Sequence, residues 1–257
     1  MNAIASAPVL EARTIEKTFG GLKAVVGVSF DVKAGEILGI AGPNGAGKTT
    51  LFDVISGLTR ANGGSVLLDG QLITNRTVHR RCRLGLARTF QQPTVADSLT
   101  VMQNVVVGAF FGGGQSRPIS LLEGLDRGQW ADSLLRFVGL HDKADLVARP
   151  LGVFDKKRLM LATALATSPR VLLLDEPFGG LNPPEIQQTI ELIKKIRDAG
   201  VAVACIEHVM RALTVLADRV LVMHNGSTLF EGTPEEMLAD PNVIAVYLGV
   251  QTGEAKA

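Results

Sequence analysis

Short apolar runs alternate with amphipathic helical patterns along most of the chain. The runs at residues 36–41, 171–174 and 201–206 are almost wholly apolar, as in strands that are buried on both faces of a sheet. Residues 50–56 and 185–199 instead place apolar side chains three or four positions apart, which is the spacing of one helix face. This alternation predicts an α/β fold, with a mostly parallel sheet and helices on both of its faces.

Two regions in the first part of the chain have a different pattern. Residues 9–32 hold two segments rich in Val, Thr and Phe, which are separated by Gly20 and Gly21. Residues 63–70 resemble a strand that is closed by an Asp-Gly turn. We therefore expect both regions to form β structure in addition to the parallel sheet.

The same patterns indicate how the chain is divided. Residues 93–167 favour helix, whereas strands are predicted on either side of them. We predict a single domain over residues 1–257. Within it, residues 1–92 and 168–257 form a core with an N-terminal antiparallel β-subdomain, and residues 93–167 form an inserted α-helical subdomain.

The composition narrows the possible partners. With 26 lysine and arginine residues against 25 aspartate and glutamate residues, the net charge is +1, which argues against a nucleic-acid partner.

Cys82 and Cys205 lack the spacing of metal ligands, so we expect reduced thiols rather than a disulfide. No apolar stretch approaches the roughly 20 residues of a membrane helix, and residues 1–16 lack the pattern of a signal peptide. Any membrane association is therefore expected to be peripheral, through a partner.

Residues 42–50, GPNGAGKTT, match the phosphate-binding pattern G-x-x-x-x-G-K-[ST] at every required position. Glycines let the backbone turn so that successive N–H groups face one anion, and a helix that begins near Lys48 adds its positive end. Lys48 is expected to reach the β- and γ-phosphates of a nucleotide, and the Thr49 hydroxyl to bind Mg²⁺. The candidate nucleotide-binding residues in this loop are Gly42, Pro43, Asn44, Gly45, Ala46, Gly47, Lys48, Thr49 and Thr50.

Polar side chains that could complete such a site lie near other predicted strands. Asp175 and Glu176 follow the apolar run at residues 171–174, where ligands collect in open α/β sheets. We expect Asp175 to hold Mg²⁺ through water, and Glu176 to orient and polarise the water that attacks the γ-phosphate. Gln91 could contact both the metal and that water, and His208 could contact the γ-phosphate. Taken alone, Gln91 could be a surface glutamine and His208 a structural histidine.

Together these residues resemble the nucleotide-binding subunit of an ABC transporter, and the resemblance covers nearly the whole chain. The corresponding motifs are Walker A at residues 42–49, the Q-loop at Gln91, Walker B at residues 171–176, the D-loop at residues 180–182 and the switch histidine at His208. By the same resemblance, Phe19 is the aromatic residue that stacks on adenine. Packing in the core is the alternative role for Phe19.

The resemblance implies a P-loop NTPase with a RecA-like core and with ATP and Mg²⁺ as cofactors. It assigns catalytic roles to Lys48, Gln91, Glu176 and His208. Its metal site consists of Thr49, Gln91 and Asp175. The implied partners are integral-membrane permease subunits, a second ATPase subunit and, indirectly, a substrate-binding protein. The implied location is the cytoplasmic face of the bacterial inner membrane.

Within the family, the chain looks most like the ATPases of branched-chain (hydrophobic) amino acid importers. That likeness is carried by short matches at residues 19–24, 88–91, 179–183, 231–235 and 247–249. These motifs do not identify the transported molecule directly, because an ATPase subunit contains neither the translocation path nor the protein that captures the substrate.

One family motif is degenerate in this sequence. The spacing from Walker B places the signature, LSGGQ or LSYGQ, at residues 151–155, which read LGVFD. Gly152 replaces the serine and removes a hydroxyl donor, while Phe154 puts a ring where the backbone must approach phosphate. Asp155 brings a negative charge toward an anion, and we expect it to be the N-cap of the following helix.

We therefore predict an ATPase subunit that energises an ABC importer of branched-chain or other hydrophobic amino acids. The degenerate signature predicts pairing with a different ATPase whose signature is intact, so that one of the two sites is weak. The alternatives are an exporter ATPase and a regulatory module that binds ATP but hydrolyses little. A cytosolic DNA-repair or translation ATPase usually has paired cassettes or a long coiled-coil insertion, and this sequence has neither.

Overall fold

The computed structural model describes residues 7–112 and 126–248. Its strands are β1 (Pro8–Phe19), β2 (Leu22–Lys33), β3 (Ile37–Ala41), β4 (Gly63–Leu68), β5 (Gln71–Leu72), β6 (Leu86–Arg88), β7 (Val171–Asp175), β8 (Ala202–Ile206), β9 (Arg219–His224) and β10 (Ser227–Gly232). Its helices are α1 (Lys48–Ser56), α2 (Val78–Arg83), α3 (Val101–Phe111), α4 (Arg127–Phe137), α5 (Val153–Ala166), α6 (Pro183–Asp198), α7 (Met210–Leu216), α8 (Pro234–Ala239) and α9 (Pro241–Leu248).

A mostly parallel sheet forms the centre of the fold, with the strand order β10-β9-β3-β8-β7-β6. Only β10 is antiparallel to its neighbour. Every residue of β3, β7 and β8 is buried, because both faces of these strands are covered. The predicted α/β fold is therefore confirmed.

The two faces of this sheet pack into different cores. Leu172 and Leu174 belong to a core that includes residues of α3, α4, α5 and α6. Val171 and Leu173 belong to a second core with α1 and the N-terminal strands. This division follows from the side-chain alternation of a strand, which sends successive residues to opposite faces.

The N-terminal strands form a separate antiparallel sheet, in the order β2-β1-β4-β5. The hairpin between β1 and β2 turns at Gly20 and Gly21, as the sequence predicts. The hairpin between β4 and β5 turns at Asp69 and Gly70, which have φ angles of 47° and 74°. Positive φ at both positions is typical of the predicted Asp-Gly turn.

Helices dominate the described part of residues 93–167, where α3, α4 and α5 pack on one another. Side chains of Thr100 and Asp126 cap α3 and α4 through capping boxes with Gln103 and Gln129. The division into core and helical subdomain stays a prediction. Within residues 7–112 and 126–248, no helix has the length and apolar composition of a membrane span.

Helix α5 begins three residues earlier than the sequence suggests. Its N-cap is Gly152, with no side-chain capping bond, so the prediction of Asp155 as N-cap is wrong. Asp155 lies inside the first turn, where its carboxylate is paired with Lys143 and Arg158. These two cations bind the carboxylate that would otherwise be available to backbone N–H groups at the start of the helix.

Candidate functional site

The loop of residues 42–47 joins the buried strand β3 to helix α1 at the C-terminal edge of the sheet. Its three glycines, Gly42, Gly45 and Gly47, all have positive φ, at 142°, 82° and 97°. A Cβ atom on Gly47 would overlap the carbonyl oxygen of Ala24, so only glycine fits there. The predicted strand, glycine loop and helix are therefore present, and the N-terminus of α1 faces the space enclosed by the loop.

Lys48 lies inside this loop rather than in solvent. Its Nζ donates hydrogen bonds to the carbonyl oxygens of Gly42 at 2.7 Å and Pro43 at 3.0 Å. Burial lowers the pKa of Lys48, and the carboxylates of Glu176 and Asp175 partly oppose this shift. The loop thus holds a desolvated cation, which attracts an incoming phosphate group strongly.

Three residues that are distant in sequence meet just beyond the tips of β7 and β8. Nε2 of Gln91 donates to Oε2 of Glu176 at 2.6 Å, and Nδ1 of His208 lies 3.6 Å from the same oxygen. The Glu176 N–H donates to the carbonyl oxygen of Ile206 at 3.0 Å. Glu176 has a φ of 47°, a strained value for a residue other than glycine. The structure therefore brings together the three residues that the sequence proposes as catalytic alongside Lys48.

A buried arginine binds the other acidic residue of this pair. Arg88 donates from Nη2 to Oδ2 of Asp175 at 2.9 Å and from Nη1 to Oδ1 of Asp53 at 2.7 Å. Its guanidinium also lies against the rings of Phe52 and Phe90. Burial raises the pKa of Asp175, and Arg88 offsets part of that shift.

In the sequence, Arg88 is visible only as part of a short match to the family, and its ion pair with Asp175 is not predicted. The sequence offers one signal for such a pair: Arg88 is a charged residue at the end of a short apolar strand. A charged residue that is buried there needs a partner of opposite charge.

An open cavity of about 460 Å³ lies over the glycine loop. Its lining includes loop residues from Asn44 to Thr50, together with Phe19, Glu176 and Asn225. The volume is within the range of small-molecule sites, about 300–1,000 Å³. Phe19 is half exposed at the end of β1, so the alternative of core packing does not apply to it.

The donor types near this cavity fit magnesium better than a transition metal. No group of three or more His, Cys, Asp or Glu residues is placed to hold a metal ion in the described part of the chain. The predicted ligands Thr49, Gln91 and Asp175 offer hydroxyl, amide and carboxylate oxygens. Mg²⁺ commonly uses few protein ligands of this kind, with substrate phosphates and water completing its shell.

The degenerate signature lies at the start of α5. Gly152 is exposed, and nothing lies within 4 Å of where its Cβ would be. The next side chain, Val153, is also exposed, and the Phe154 ring stacks against Arg158. Burial opposes the ionisation of Asp155, but hydrogen bonds from Lys143 and Arg158 outweigh this and lower its pKa. The carboxylate is thus already paired within its own subunit.

Comparisons with known proteins agree with this geometry. A family model described as ABC transporter matches residues 25–179. A second, described as branched-chain amino acid ATP-binding cassette transporter, matches residues 227–251.

Curated relatives and solved structures match over almost the full length. The chain is 36% identical over 252 residues to BraF of Pseudomonas aeruginosa, a high-affinity branched-chain amino acid transport ATP-binding protein, covering 95% of this chain and 99% of BraF. It is 35% identical to LptB of Acidithiobacillus ferridurans, a lipopolysaccharide export system ATP-binding protein, and the match covers 95% of this chain and 98% of LptB. The crystal structure of an ABC transporter cassette in its ADP conformation superposes with a TM-score of 0.84 at 30% identity, and the match covers 95% of this chain and 100% of that cassette. The P-loop NTPase fold is confirmed, and the chain belongs to the ABC transporter family as one of its ATP-binding cassette ATPases.

Proposed function

We propose that this chain binds and hydrolyses ATP to energise an ABC importer of branched-chain or other hydrophobic amino acids. The proposal is carried by one observation: Lys48 and Glu176 line the same cavity, and Gln91 and His208 meet at the Glu176 carboxylate. The importer class is supported by the BraF relative and by the family match at residues 227–251. The LptB relative favours an exporter ATPase as the second candidate.

Each part of the cavity suits one part of ATP. Phe19 stacks on the adenine ring, and the loop N–H groups with Lys48 bind the triphosphate. Thr49, Gln91 and Asp175 would hold Mg²⁺, which supplies positive charge to the β- and γ-phosphates when bound.

Hydrolysis uses the residues at the tips of β7 and β8. Glu176 accepts a hydrogen bond from the attacking water and orients it toward the γ-phosphorus. As the new oxygen–phosphorus bond forms, the bond to the β,γ-bridging oxygen breaks and ADP leaves with that oxygen. His208 contacts the γ-phosphate, and Lys48 stabilises the charge that develops on its oxygens.

The start of α5 supports an asymmetric pair of ATPase subunits. In a complete signature, a serine hydroxyl and glycine N–H groups bind the γ-phosphate held by the opposite subunit. Here Gly152 has no hydroxyl, and Val153 and Phe154 place side chains where that phosphate must approach. Loss of one oxyanion donor costs about 2.7–4 kcal/mol, or about 10²–10³ in rate. The partner subunit has an intact signature, so the site that uses this chain's Lys48 is the efficient one.

Family partners and a site for them complete the proposal. The chain acts at the cytoplasmic face of the bacterial inner membrane with permease subunits, a second ATPase and, indirectly, a substrate-binding protein. A mainly apolar cavity of about 260 Å³, lined by Phe90, Thr94 and Met160 among others, lies between the core and the helical region near Gln91. The permease docks at this surface. The net charge of +1 gives no reason to add a nucleic-acid partner.

The test is ATP turnover by the complex purified from membranes, compared with Lys48→Ala in this chain. We expect wild-type turnover to exceed the Lys48→Ala level by about 10²-fold or more, because the phosphate-binding cation is lost. Turnover equal to that of Lys48→Ala, with ATP still bound by the wild type, would support the regulatory module instead.

A second measurement tests the asymmetry. Glu176→Gln in this chain is compared with the equivalent change in the partner subunit, and Glu235→Gln, on the exposed surface of α8, is the matched control. The proposal expects a much larger loss from Glu176→Gln than from the partner's change. Equal losses would contradict it.

A further inference from the structure

Two buried charged side chains, Lys157 and Glu207, have no part in the reaction above. Their exposed fractions are 4% and 0%. Lys157 lies in the second turn of α5, and Glu207 follows the last residue of β8. Burying a charge costs several kcal/mol unless hydrogen bonds or opposite charges compensate it. The hydrogen-bond partners of Lys157 and Glu207 therefore indicate the structural role of each side chain.

Glu207 joins two segments of the active site. Its Oε1 accepts a hydrogen bond from the Phe178 N–H at 3.0 Å. Its Oε2 accepts from the N–H groups of His208 at 3.0 Å and Val209 at 3.1 Å. Burial raises the pKa of Glu207, and these three backbone donors oppose that shift. One carboxylate thus ties the chain just after Glu176 to the backbone of the switch histidine.

Lys157 binds the catalytic glutamate itself. Its Nζ donates to the backbone carbonyl oxygen of Glu176 at 3.0 Å. Burial lowers the pKa of Lys157, and the carboxylates of Glu207 and Glu176 oppose that shift. Because the Glu176 N–H is bound to Ile206 of β8, its peptide groups are held from two sides. The N–H is held by the parallel sheet, and the carbonyl by Lys157 of helix α5 and by a longer hydrogen bond from the Gly179 N–H, at 3.3 Å.

We propose that Lys157 and Glu207 are positioning residues that hold Glu176 and His208 in the geometry for hydrolysis, and that Lys157 makes this geometry depend on the placement of α5. The inference rests on the proposed ATPase function. Helix α5 starts within the signature segment of residues 151–155. In the proposed pair of ATPase subunits, this segment faces the nucleotide of the partner subunit. A shift of α5 on dimer closure therefore reaches the backbone of Glu176 through a single side chain.

The strain at Glu176 makes such a link effective. A φ of 47° is sparsely populated for glutamate and persists only when surrounding contacts enforce it. Without the Lys157 donor, the Glu176 carbonyl keeps the longer hydrogen bond from the Gly179 N–H at 3.3 Å. Its peptide group is then held less firmly, and its carboxylate can leave the position beside Gln91 and His208. Small displacements of a reacting group can cost about 10²-fold in rate.

The experiment compares three variants in the assembled complex: Lys157→Met, Glu207→Gln and the double variant. Lys156→Met is the matched control, because Lys156 is the preceding residue of α5 and, among residues 7–112 and 126–248, it pairs with Asp97 alone, at the surface. We expect Lys157→Met to lower kcat by about 10- to 100-fold with the Kd for ATP unchanged, since the cavity and Lys48 are intact. Lys156→Met should stay within about twofold of wild type.

The double variant separates positioning from charge balance. It removes both buried charges, so it should fold like the wild type by thermal unfolding even if a single variant does not. We expect its kcat to remain low, because the Glu176 carbonyl still lacks the Lys157 donor that links it to α5.

Two results would overturn the inference. One is recovery of wild-type kcat in the double variant, and the other is equal turnover by Lys157→Met and Lys156→Met. A wild-type complex that hydrolyses no more ATP than Lys48→Ala would refute the proposed function itself, and the inference with it.

Discussion

Replacement of Arg88 by methionine should destabilise the protein strongly, because it leaves Asp175 buried without its cation. The side chains of Arg88 and Asp175 are 5% and 6% exposed and 2.9 Å apart. Removing one partner of a buried pair typically costs 3–5 kcal/mol, so we expect a loss of about that size in the free energy of unfolding. Asp53 adds less to this loss, because its side chain is 33% exposed.

A double-mutant cycle measured by urea unfolding tests this reasoning. Asp175→Asn in the Arg88→Met background removes the stranded charge, so we expect it to recover about 1–3 kcal/mol. Arg83→Met, at an exposed position on α2, is the control and should change stability by less than about 0.5 kcal/mol. A coupling energy below about 0.5 kcal/mol between Arg88 and Asp175 would refute the argument.

The same variant has a predicted pH dependence. Burial raises the pKa of Asp175 in the folded protein, and loss of Arg88 raises it further. A carboxyl group with a raised pKa binds a proton more readily in the folded state, so its ionisation destabilises that state as pH rises. The stability deficit of Arg88→Met should therefore shrink when the pH is lowered from about 7 to about 5. A stability deficit of Arg88→Met that grows on acidification would contradict the predicted direction of the pH dependence.

Three further changes test other parts of the structure. Gly47→Ala should lower the free energy of unfolding by about 2–5 kcal/mol, because the new Cβ overlaps the carbonyl oxygen of Ala24 and the backbone is left-handed at this position. Gly45→Ala has the left-handed strain without an overlap and should cost about 1–2 kcal/mol. Urea unfolding of the two variants measures the difference. Asp155→Asn should cost stability above about pH 5 and progressively less at lower pH, because the contacts with Lys143 and Arg158 that lower the pKa of Asp155 exist only in the folded state. Acid titration of unfolding checks this. Phe19→Ala should raise the Kd for ATP about tenfold without lowering the melting temperature, since the ring is half exposed; equal Kd values in calorimetry would reject stacking.

Local patterns predicted the phosphate loop and the strands well, because their physical causes are local. Positive φ at Gly42, Gly45 and Gly47 requires glycine, and the pattern of glycines is visible in the sequence. Strands that are buried on both faces must be apolar throughout, so β7 and β8 are visible as well.

The predictions that were wrong or missing involve side chains whose partners come from elsewhere in the chain. Asp155 has the residue type of an N-cap, but Lys143 and Arg158 bind its carboxylate, and Gly152 takes the capping position. The sequence near Arg88 indicates a charge that needs a partner when buried, but nothing in it identifies Asp175 as that partner.

The sequence by itself determined the nucleotide-binding chemistry, the α/β fold class and the defect in the signature, since each is set by residue types at short, fixed spacings. Only the tertiary structure decided that Gln91 and His208 meet at the Glu176 carboxylate, and that Lys157 binds its backbone. These contacts join residues up to 85 positions apart along the chain. They depend on the order of strands in the sheet and on the packing of α5, which local spacing does not specify.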